Sequence, residues 1–578
     1  MASDCADGTA TPSGTSPKAA TSRHFAASEP LPMTSTTPLL ESTTLGGDAY
    51  RLRPPCYTDE GAPLATISAS APIHDWSEYA VNEIDPGAFQ SRFSWRKLWR
   101  YAGPGWLMAI AYLDPGNLES DLQSGSVAGY QLIWLLFWTH AIGLVIQCLA
   151  AKLGVVTGRH LAQHANAAYP RLASRLLWLV AEIAIIGSDI QEIVGTAVAL
   201  RILLRLPLWA GVLLTAVDSF LFLFLQAFGV RWLEAFFVAL IGTMAVCFWV
   251  EMGLSHPSAI DILKGLAVPH VPKAAITQAV GMVGAVIMPH NIFLHSALVM
   301  SRRIDRSCTA NHAGIREANF YFRIESAVAL ISSFLINMAI MVVFAQVFYD
   351  PAQPNRPVPG LYDAADVLQH ALGTKGARYL WAVGLLAAGQ SSTMTGTMAG
   401  QYVMEGFWQW KIKPWQRIAI TRSIALVPSL VVGIVAADNL DSLGEILNVL
   451  QSIQLPFALV PIIKLTASTV VVGTFINHRL TTLSSVALTV VVMGFNAYLL
   501  VDFVDQMATG TGTSPVMAYL LLALFAVPYV GFIAYLAWYP IARRLLTLGD
   551  GYGSDTDPES PKLVPDDSAT TSSTPLTV

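Results

Sequence analysis

The sequence predicts an all-α polytopic membrane protein with about twelve transmembrane helices. Only 13% of its 578 residues are Asp, Glu, Lys or Arg, against about 25% in an average soluble domain, and the mean hydropathy is +0.50. So few charges cannot cover the surfaces of the roughly four soluble domains that this length would otherwise suggest. The apolar residues also form long stretches, and Lys and Arg concentrate in alternate connections between those stretches.

Twelve apolar stretches are long enough to cross a hydrocarbon core of roughly 30 Å as helices. In chain order they are 101–124, 131–153, 174–204, 208–228, 231–253, 274–301, 321–349, 376–406, 416–436, 443–466, 482–503 and 515–540. They are too long and too uniformly apolar for the short alternating strands of a transmembrane barrel. All membrane-spanning elements are therefore predicted to be helices.

The basic residues of the connections predict the orientation in the membrane. They lie before the first stretch and after the second, sixth, eighth, tenth and twelfth stretches, and they include Arg96, Lys97 and Arg302. The intervening connections carry mainly acids, such as Asp438 and Asp505. Since Lys and Arg are enriched on the cytosolic side of membranes, we predict an even number of spans and two cytosolic termini.

Composition divides the chain into three parts. The first ninety or so residues differ sharply from the rest, and residues 1–70 are rich in Ser, Thr, Ala and Pro, with few large apolar side chains. Such a segment cannot bury enough surface to offset the entropy lost on ordering. We expect a disordered cytosolic N-terminal tail over 1–92, the transmembrane domain over 93–545 and a disordered cytosolic C-terminal tail over 546–578.

Several functional classes are disfavoured. The net charge is −5, and no basic cluster is interleaved with aromatic residues, so nucleic-acid binding is not expected. The five cysteines are scattered without a C-x-x-C pair, which argues against a thiolate metal site and against a disulfide scaffold. Gly-x-Ser-x-Gly, Walker-type and His-Glu-x-x-His patterns are missing. The chain is therefore predicted not to be an enzyme and not to be driven by a nucleotide.

Two of the stretches are interrupted at matching places. The first contains 111–117 (AYLDPGN) and the sixth contains 285–291 (AVIMPHN). Proline removes a backbone donor, and glycine tolerates non-helical angles. The breaks lie five helices apart, and an odd number of helices per repeat inverts the second copy in the membrane. We therefore predict inverted five-helix repeats with broken helices 1 and 6.

The two breaks carry side chains that can bind a metal ion. Asp114 offers an anionic oxygen, Asn117 a neutral oxygen and Met288 a thioether sulfur. Calcium and magnesium prefer shells of oxygen only, whereas softer ligands favour first-row transition ions. A proline kink or an exposed turn would explain either break alone, and Met288 alone would be a packing residue. Together these side chains favour a metal site in which freed carbonyls line a cavity or hold the ion.

Four segments resemble signatures of a known family. The segments 114–117 (DPGN) and 288–290 (MPH) resemble the paired signature of the natural resistance-associated macrophage protein (Nramp) family of divalent metal transporters, and 389–401 and 448–457 resemble it too. The resemblance covers roughly 92–545 and is greatest toward the eukaryotic branch. It implies a leucine-transporter-like fold and proton-coupled transport of manganese and ferrous iron into the cytosol, with cadmium and cobalt as further candidate ions.

The same resemblance implies further metal ligands. In the family, freed carbonyls at the positions of Ala111 and Ala285 coordinate the ion, and Asn448 matches a position where relatives place an amide ligand. Gln451 and Gln454 are nearby alternatives, and Asn448 could instead form a hydrogen bond between packed helices. No cofactor is expected, because manganese or ferrous iron is the transported substrate.

Buried acids in the third stretch predict a proton route. Asp189 and Glu192 lie on one face of a helix because they are three residues apart. Acids inside a membrane are costly and mark functional sites. Arg422 in the ninth stretch is the candidate counter-charge. The family has acids at the first two positions and an arginine in helix 9, so the resemblance implies that all three belong to its proton route.

Two histidines follow the second break and extend this hypothesis. Histidine changes its charge between pH 5 and 8 more readily than other side chains. We hypothesise that metal binding displaces the proton of Asp114, which leaves through His290 or Glu192 toward the acid and arginine described above. The alternatives are that His290 tunes or joins the metal site and that His295 is a neutral packing residue.

Three other functions stay open on sequence alone. An amino-acid or amine symporter of the same fold would place glycine-rich backbone at the first break, not an Asp with a facing Met. A sensor would carry a long cytosolic output domain, and a channel would need no proton relay. The predicted partners are divalent metal ions, protons and the lipid bilayer, and no oligomeric state is predicted. The predicted location is the plasma membrane or an endosomal, lysosomal or vacuolar membrane.

Overall fold

A computed structural model describes most of the predicted transmembrane domain. The described residues are 93–215, 230–302, 304, 312–353, 356–408, 414–435, 440–510, 515–541 and 544–545. Both predicted tails, 1–92 and 546–578, lie outside the described residues, so their disorder stays a prediction. Every regular element in the described ranges is a helix, which confirms the predicted all-α class.

The described helices have the following bounds in chain order. The α-helices are α1 Trp95–Tyr101, α2 Pro104–Ile110, α3 Pro115–Ala128, α4 Ile133–Thr157, α5 Leu161–Ala168, α6 Arg171–Leu204, α7 described over 208–215, α8 Val230–Ser255, α9 Ala259–Ala267, α10 Ile276–Val286, α11 Pro289–Leu298, α12 His312–Val347, α13 Asp363–Leu372, α14 Lys375–Trp408, α15 Pro414–Val435, α16 Leu440–Gln454, α17 Pro456–Thr466, α18 Thr469–Val472, α19 Arg479–Gly510 and α20 Pro515–Trp538. The short 3₁₀ helices are Gly129–Leu132, Lys273–Ala275, Val299–Ser301 and Gly473–Phe475.

Each of the twelve predicted stretches coincides with helix, although only 208–215 of the fourth is described. Within the described ranges, seven helical stretches are long and apolar enough to cross a membrane, namely Pro115–Thr157, Arg171–Leu204, Trp232–Ser255, Lys273–Ser301, Ala313–Val347, Leu443–Thr466 and Arg479–Tyr498. The eighth predicted span, α14, is 34 residues long but rich in Gly, Ser and Thr. Small residues of this kind allow close contact between helices in a membrane bundle.

The broken helices lie in the middle of the bundle. All of the membrane-crossing window within Lys273–Ser301 is buried. By contrast, α19 and α20 leave large apolar side chains exposed, including Val490, Leu520, Leu524 and Val527. Apolar faces of this extent are typical of a surface covered by lipid.

The first half of broken helix 1 is held at its start by a buried glutamate. Gly103 precedes α2 and adopts a φ of +143°, which favours glycine. Its amide donates a hydrogen bond to Glu325 Oε1, and the amide of Gly105 donates to the same oxygen at 2.9 Å. One carboxylate of α12 therefore satisfies two of the amides that a helix start leaves without intrahelical partners.

A buried ion pair lies against the same helix start. Arg302 Nη2 donates to Glu234 Oε1 and to the carbonyl of Ala102, both at 2.6 Å. Arg302 was predicted to belong to a charged connection, yet it is only 1% exposed. The two contacts explain this position, because a guanidinium can be buried where a carboxylate and a carbonyl replace its water.

Candidate metal centre

The first break turns the chain tightly before a new helix begins. The amides of Ala111, Tyr112 and Leu113 donate to carbonyls three residues earlier, at 2.8–3.1 Å. Asp114 is extended and caps α3, whose first residue is Pro115. Proline at this position and an Asp cap are both typical of helix starts. The predicted break is confirmed, and it places the Asp114 carboxylate where the two half-helices meet.

Asn117 lies directly against the Asp114 carboxylate. Its backbone amide nitrogen donates to Asp114 Oδ1 at 2.7 Å, and its side-chain Nδ2 donates to the same oxygen at 2.9 Å. Both side chains are buried. Asn117 Oδ1 is also buried and has no hydrogen-bond partner among the described residues. The pair therefore offers a carboxylate and an unsatisfied neutral oxygen at one place.

The second break repeats this arrangement. α10 ends at Val286, Met288 is extended and caps α11, and Pro289 is the first residue of α11. Met288 thus occupies the position in helix 6 that Asp114 occupies in helix 1. Its side chain is buried, and so is Ala285, three residues earlier.

The prolines explain which carbonyls are released. In a continuous helix each carbonyl accepts from the amide four residues later. For Ala111 and Ala285 those residues are Pro115 and Pro289, which have no amide hydrogen. Asn291 Nδ2 donates to the Ala111 carbonyl at 3.3 Å and so links the two breaks.

Asn448 on α16 lies against both breaks. Its Nδ2 donates to the carbonyl of Gly116 at 3.1 Å. On the other side, a methyl group at Gly284 of α10 would clash with the Asn448 carbonyl and lie 2.7 Å from Ser452 N. Of the three amides that the sequence left open, Asn448 is the one bonded to a break. Gln451 instead donates to Gln191.

The donor set is mixed rather than a cluster of strong ligands. In the described part of the chain, no group of three or more His, Cys, Asp or Glu residues could hold a metal ion. An ion at the breaks would therefore depend on Asp114, Asn117, Met288 and backbone carbonyls together. That Asp114, Asn117 and Met288 are ligands stays a prediction, as it does for Ala111, Ala285 and Asn448.

The predicted acidic pair lies together beside the first break. Asp189 and Glu192 are both buried on α6. A methyl group at Gly396 of α14 would lie 2.9 Å from Asp189 Oδ1 and 3.1 Å from Glu192 Oε1. One turn further along α6, Gly195 is in close contact with Pro115. Glu192 therefore lies about one helical turn, and Asp189 nearly two, from the residue of α6 that contacts the break.

The structure locates the histidines but not the arginine side chain. His290 and His295 are buried on α11. His290 Nδ1 and both ring nitrogens of His295 lack hydrogen-bond partners among the described residues. Arg422 belongs to α15, but its side chain lies outside the described residues. Its predicted role as counter-charge therefore stays a prediction.

Gln191 is a residue of this region that the sequence analysis missed. Its Nε2 donates to Asn448 Oδ1 at 2.9 Å and to the Gly444 carbonyl at 3.0 Å. Its Oε1 accepts from Gln451 Nε2 at 3.0 Å. A glutamine inside a membrane helix, between two acids, was the available signal, but its main partners lie more than 250 residues away.

Known proteins are similar to most of the membrane region of this chain. Residues 105–502 match the family model described as natural resistance-associated macrophage protein-like. The chain is 50% identical over 458 residues to the metal transporter nramp1 homolog of Dictyostelium discoideum, covering 78% of this chain and 84% of that protein. It is 47% identical over 493 residues to the metal transporter Nramp4 of Arabidopsis thaliana, covering 84% and 94%.

Solved structures agree with these relatives. A variant of the Eremococcus coleocola manganese transporter matches with a TM-score of 0.70 and 30% identity, covering 81% of this chain and 98% of that one. The same transporter in complex with an aromatic bis-isothiourea substituted compound matches with a TM-score of 0.65 and 30% identity, covering 82% and 99%. The fold predicted from the two breaks is thereby confirmed, and the chain is an integral membrane protein that belongs to the natural resistance-associated macrophage protein family.

Proposed function

We propose that this chain transports divalent transition-metal ions, chiefly manganese and ferrous iron, across a membrane into the cytosol together with protons. The observation that carries the proposal is the pair of proline-broken helices. They meet through the bond between Asn291 and the Ala111 carbonyl and bury Asp114, Asn117 and Met288 at the junctions. The names of the similar proteins, which are metal and manganese transporters, support it.

The chemistry of the donors favours transition metals over calcium or magnesium. Asp114 and Asn117 supply hard oxygens, while Met288 supplies a soft sulfur that magnesium accepts poorly in exchange for water. With Asp114 as the one carboxylate among the proposed ligands, a divalent ion is only partly neutralised. Partial neutralisation keeps binding reversible, which passage through the membrane requires.

Proton coupling follows from competition for the same carboxylate. As an Asp114 oxygen bonds to the metal, the bond between that carboxyl and its proton breaks. The proton then passes to His290 or Glu192 and on toward Asp189 and Arg422. The close contact between Gly195 and Pro115 supports this route, because it brings the acidic pair near the break.

The basic residues of the alternate connections support an orientation with both termini in the cytosol. The proton gradient across the plasma membrane and across acidic endosomal, lysosomal or vacuolar membranes points toward the cytosol, and either location suits the proposed direction. The chain acts as a transporter and not as an enzyme.

Replacing Met288 with alanine is expected to weaken discrimination among ions. Loss of the sulfur should reduce the preference for cadmium and iron over calcium and magnesium by about tenfold, the ratio that corresponds to about 1.4 kcal/mol. Competition for manganese uptake measures this ranking. Met282, a buried methionine of α10, is the matched control, and Met282→Ala should leave the ranking intact. An unchanged ranking in Met288→Ala would remove the thioether from the site.

Replacing Glu192 with glutamine is expected to slow proton movement more than metal binding, because the amide cannot carry the proton. Purified protein in liposomes, with pH set separately on each side, would report manganese and proton fluxes together. Glu182→Gln, which alters another buried acid of α6, is the matched control. A pH profile identical to that of the unaltered chain would place the relay elsewhere. Inhibition of uptake by free amino acids rather than by cadmium would contradict metal transport itself.

A further inference from the structure

We propose that Gln191 is a positioning residue that fixes the orientation of the Asn448 side-chain amide beside the metal site. This inference rests on the proposed function, because it concerns the same site. Gln191 lies on α6, Asn448 lies on α16, and both side chains are buried. Gln191 would not contact the ion and would act only through Asn448.

The hydrogen bonds determine how the Gln191 amide is oriented. A backbone carbonyl can only accept a hydrogen bond. The group of Gln191 that faces the Gly444 carbonyl at 3.0 Å must therefore be its Nε2. The same Nε2 donates to Asn448 at 2.9 Å, and Gln451 donates to Gln191 Oε1 at 3.0 Å. The Gln191 amide is thus fixed from both ends.

The orientation of Asn448 follows from that of Gln191. Because Gln191 presents a donor, Asn448 must present Oδ1 to it and Nδ2 to the opposite side. There Nδ2 donates to the Gly116 carbonyl at 3.1 Å, which again can only accept. An amide oxygen has two lone pairs, so Asn448 Oδ1 can keep its bond to Gln191 and bind a cation with the other. Oδ1 lies beside the break, since a methyl group at Gly116 would be 3.1 Å from it. Without Gln191 the amide could turn over, which would put its nitrogen, a group that cannot bind a cation, where Oδ1 now lies.

The backbone of Asn448 is held in place, so rotation of its side-chain amide is the main movement left to this residue. α16 packs so closely on α10 that a methyl group at Gly284 would clash with the Asn448 carbonyl. The main chain at Asn448 is therefore held in place, and the direction of its side-chain amide is what Gln191 controls. Residues that orient a metal ligand in this way typically change metal affinity 10–100-fold when altered.

Gln191 also borders a small cavity next to the break. Glu119, Tyr362 and Leu447 line the same cavity. A methyl group at Gly116 would lie 2.8 Å from Gln191 Oε1, so the glutamine lies between this cavity and the break. An incoming ion or its water would meet the amide network here, where its polarity affects binding.

Two variants of Gln191 separate positioning from packing. Gln191→Leu removes all three hydrogen bonds at similar size. Gln191→Glu keeps the shape and the acceptor for Gln451 but loses the donor to Asn448, and it serves if the leucine variant fails to fold. Manganese binding to the purified full chain, measured by calorimetry, is expected to weaken 10–100-fold in both. Cadmium should lose less affinity than manganese, because it depends more on sulfur.

Comparison with Asn448 variants tests whether Gln191 acts through that residue. Gln191→Leu combined with Asn448→Ala should bind manganese no more weakly than Asn448→Ala alone, since residues acting through one contact are not additive. Gln278→Leu removes an amide bond from α10 to Glu445 of the same α16 and is the matched control. It should leave the ratio of manganese to cadmium affinity unchanged.

Two outcomes would overturn the inference. The first is unchanged manganese affinity and ion ranking in both Gln191 variants, and the second is an effect that simply adds to that of Asn448→Ala. If either occurs while Asp114→Ala still abolishes uptake, the proposed function stands and only the role of Gln191 is lost. If Asp114→Ala transports normally, the proposed function itself fails.

Discussion

Replacing Asp114 with alanine is expected to reduce manganese uptake to that of empty liposomes, while the protein still reaches the membrane. Asp114 is the one fully charged group among the proposed ligands. The helix ends cannot substitute for it, because the negative ends of α2 and α10 are offset by the positive ends of α3 and α11. Loss of the cap itself should cost only about 0.5–2 kcal/mol of stability.

Asparagine at the same position separates charge from capping. Asn caps helices about as well as Asp, so Asp114→Asn keeps the local fold while removing the negative charge. Its thermal unfolding in detergent should match that of the unaltered chain, and its manganese uptake should still be lost. Normal uptake by Asp114→Asn would show that the carboxylate charge is not needed, and the proposed competition between metal and proton would fall with it.

Replacing Arg302 with methionine is expected to destabilise the fold by about 3–5 kcal/mol, the typical cost of breaking a buried ion pair. Arg302 bonds to Glu234 and to the Ala102 carbonyl, both at 2.6 Å, and is almost fully buried. Methionine fills similar space but removes the cation from beside Glu234. The yield of monodisperse protein and its unfolding temperature in detergent measure the effect.

Two controls make this prediction specific. Lys97→Met breaks a comparable pair with Glu317 at 2.8 Å, but the Lys97 side chain is 32% exposed. Water reaches the Lys97 end of this pair, although Glu317 is buried, so this variant should cost less stability than Arg302→Met. Adding Glu234→Gln to Arg302→Met should restore part of the stability, since the charge is removed along with its partner. Equal effects of Lys97→Met and Arg302→Met would show that burial of the pair does not matter.

The breaks could be predicted from sequence because their cause is local. A proline has no amide hydrogen in any fold, so Pro115 and Pro289 identify the interrupted helices without knowledge of their neighbours. The same holds for the capping role of Asp114, which depends on residues one to three positions away. Local chemistry of this kind is visible in a single sequence.

The amide network could not be predicted because its cause is distant. Asn448, Gln451 and Gln454 follow one another at intervals of three residues, and nothing in that spacing selects one of them. The close packing of Gly284 on α16 decides which amide meets the breaks. The contacts of Gln191 depend on the same packing of distant helices. For that reason the sequence alone did not identify Gln191 as part of the site.

The burial of Arg302 could not be predicted from the sequence for the same reason. A basic residue near the end of an apolar stretch is typical of a solvated connection. Its burial depends on Glu234, 68 residues earlier, and on the backbone before α2. Long-range ion pairs of this kind are determined by tertiary packing and leave no periodic pattern in the sequence.

The two prolines have a consequence for the carrier after it has released its cargo. Since residues 115 and 289 can never donate, the chain cannot re-form a helical bond to the Ala111 or Ala285 carbonyl once the ion has left. A carbonyl without a partner in the membrane interior costs several kcal/mol, and the Asn291 side chain is such a partner for Ala111. We therefore expect water or side chains such as Asn291 to take the place of the metal at these carbonyls when the unloaded carrier returns.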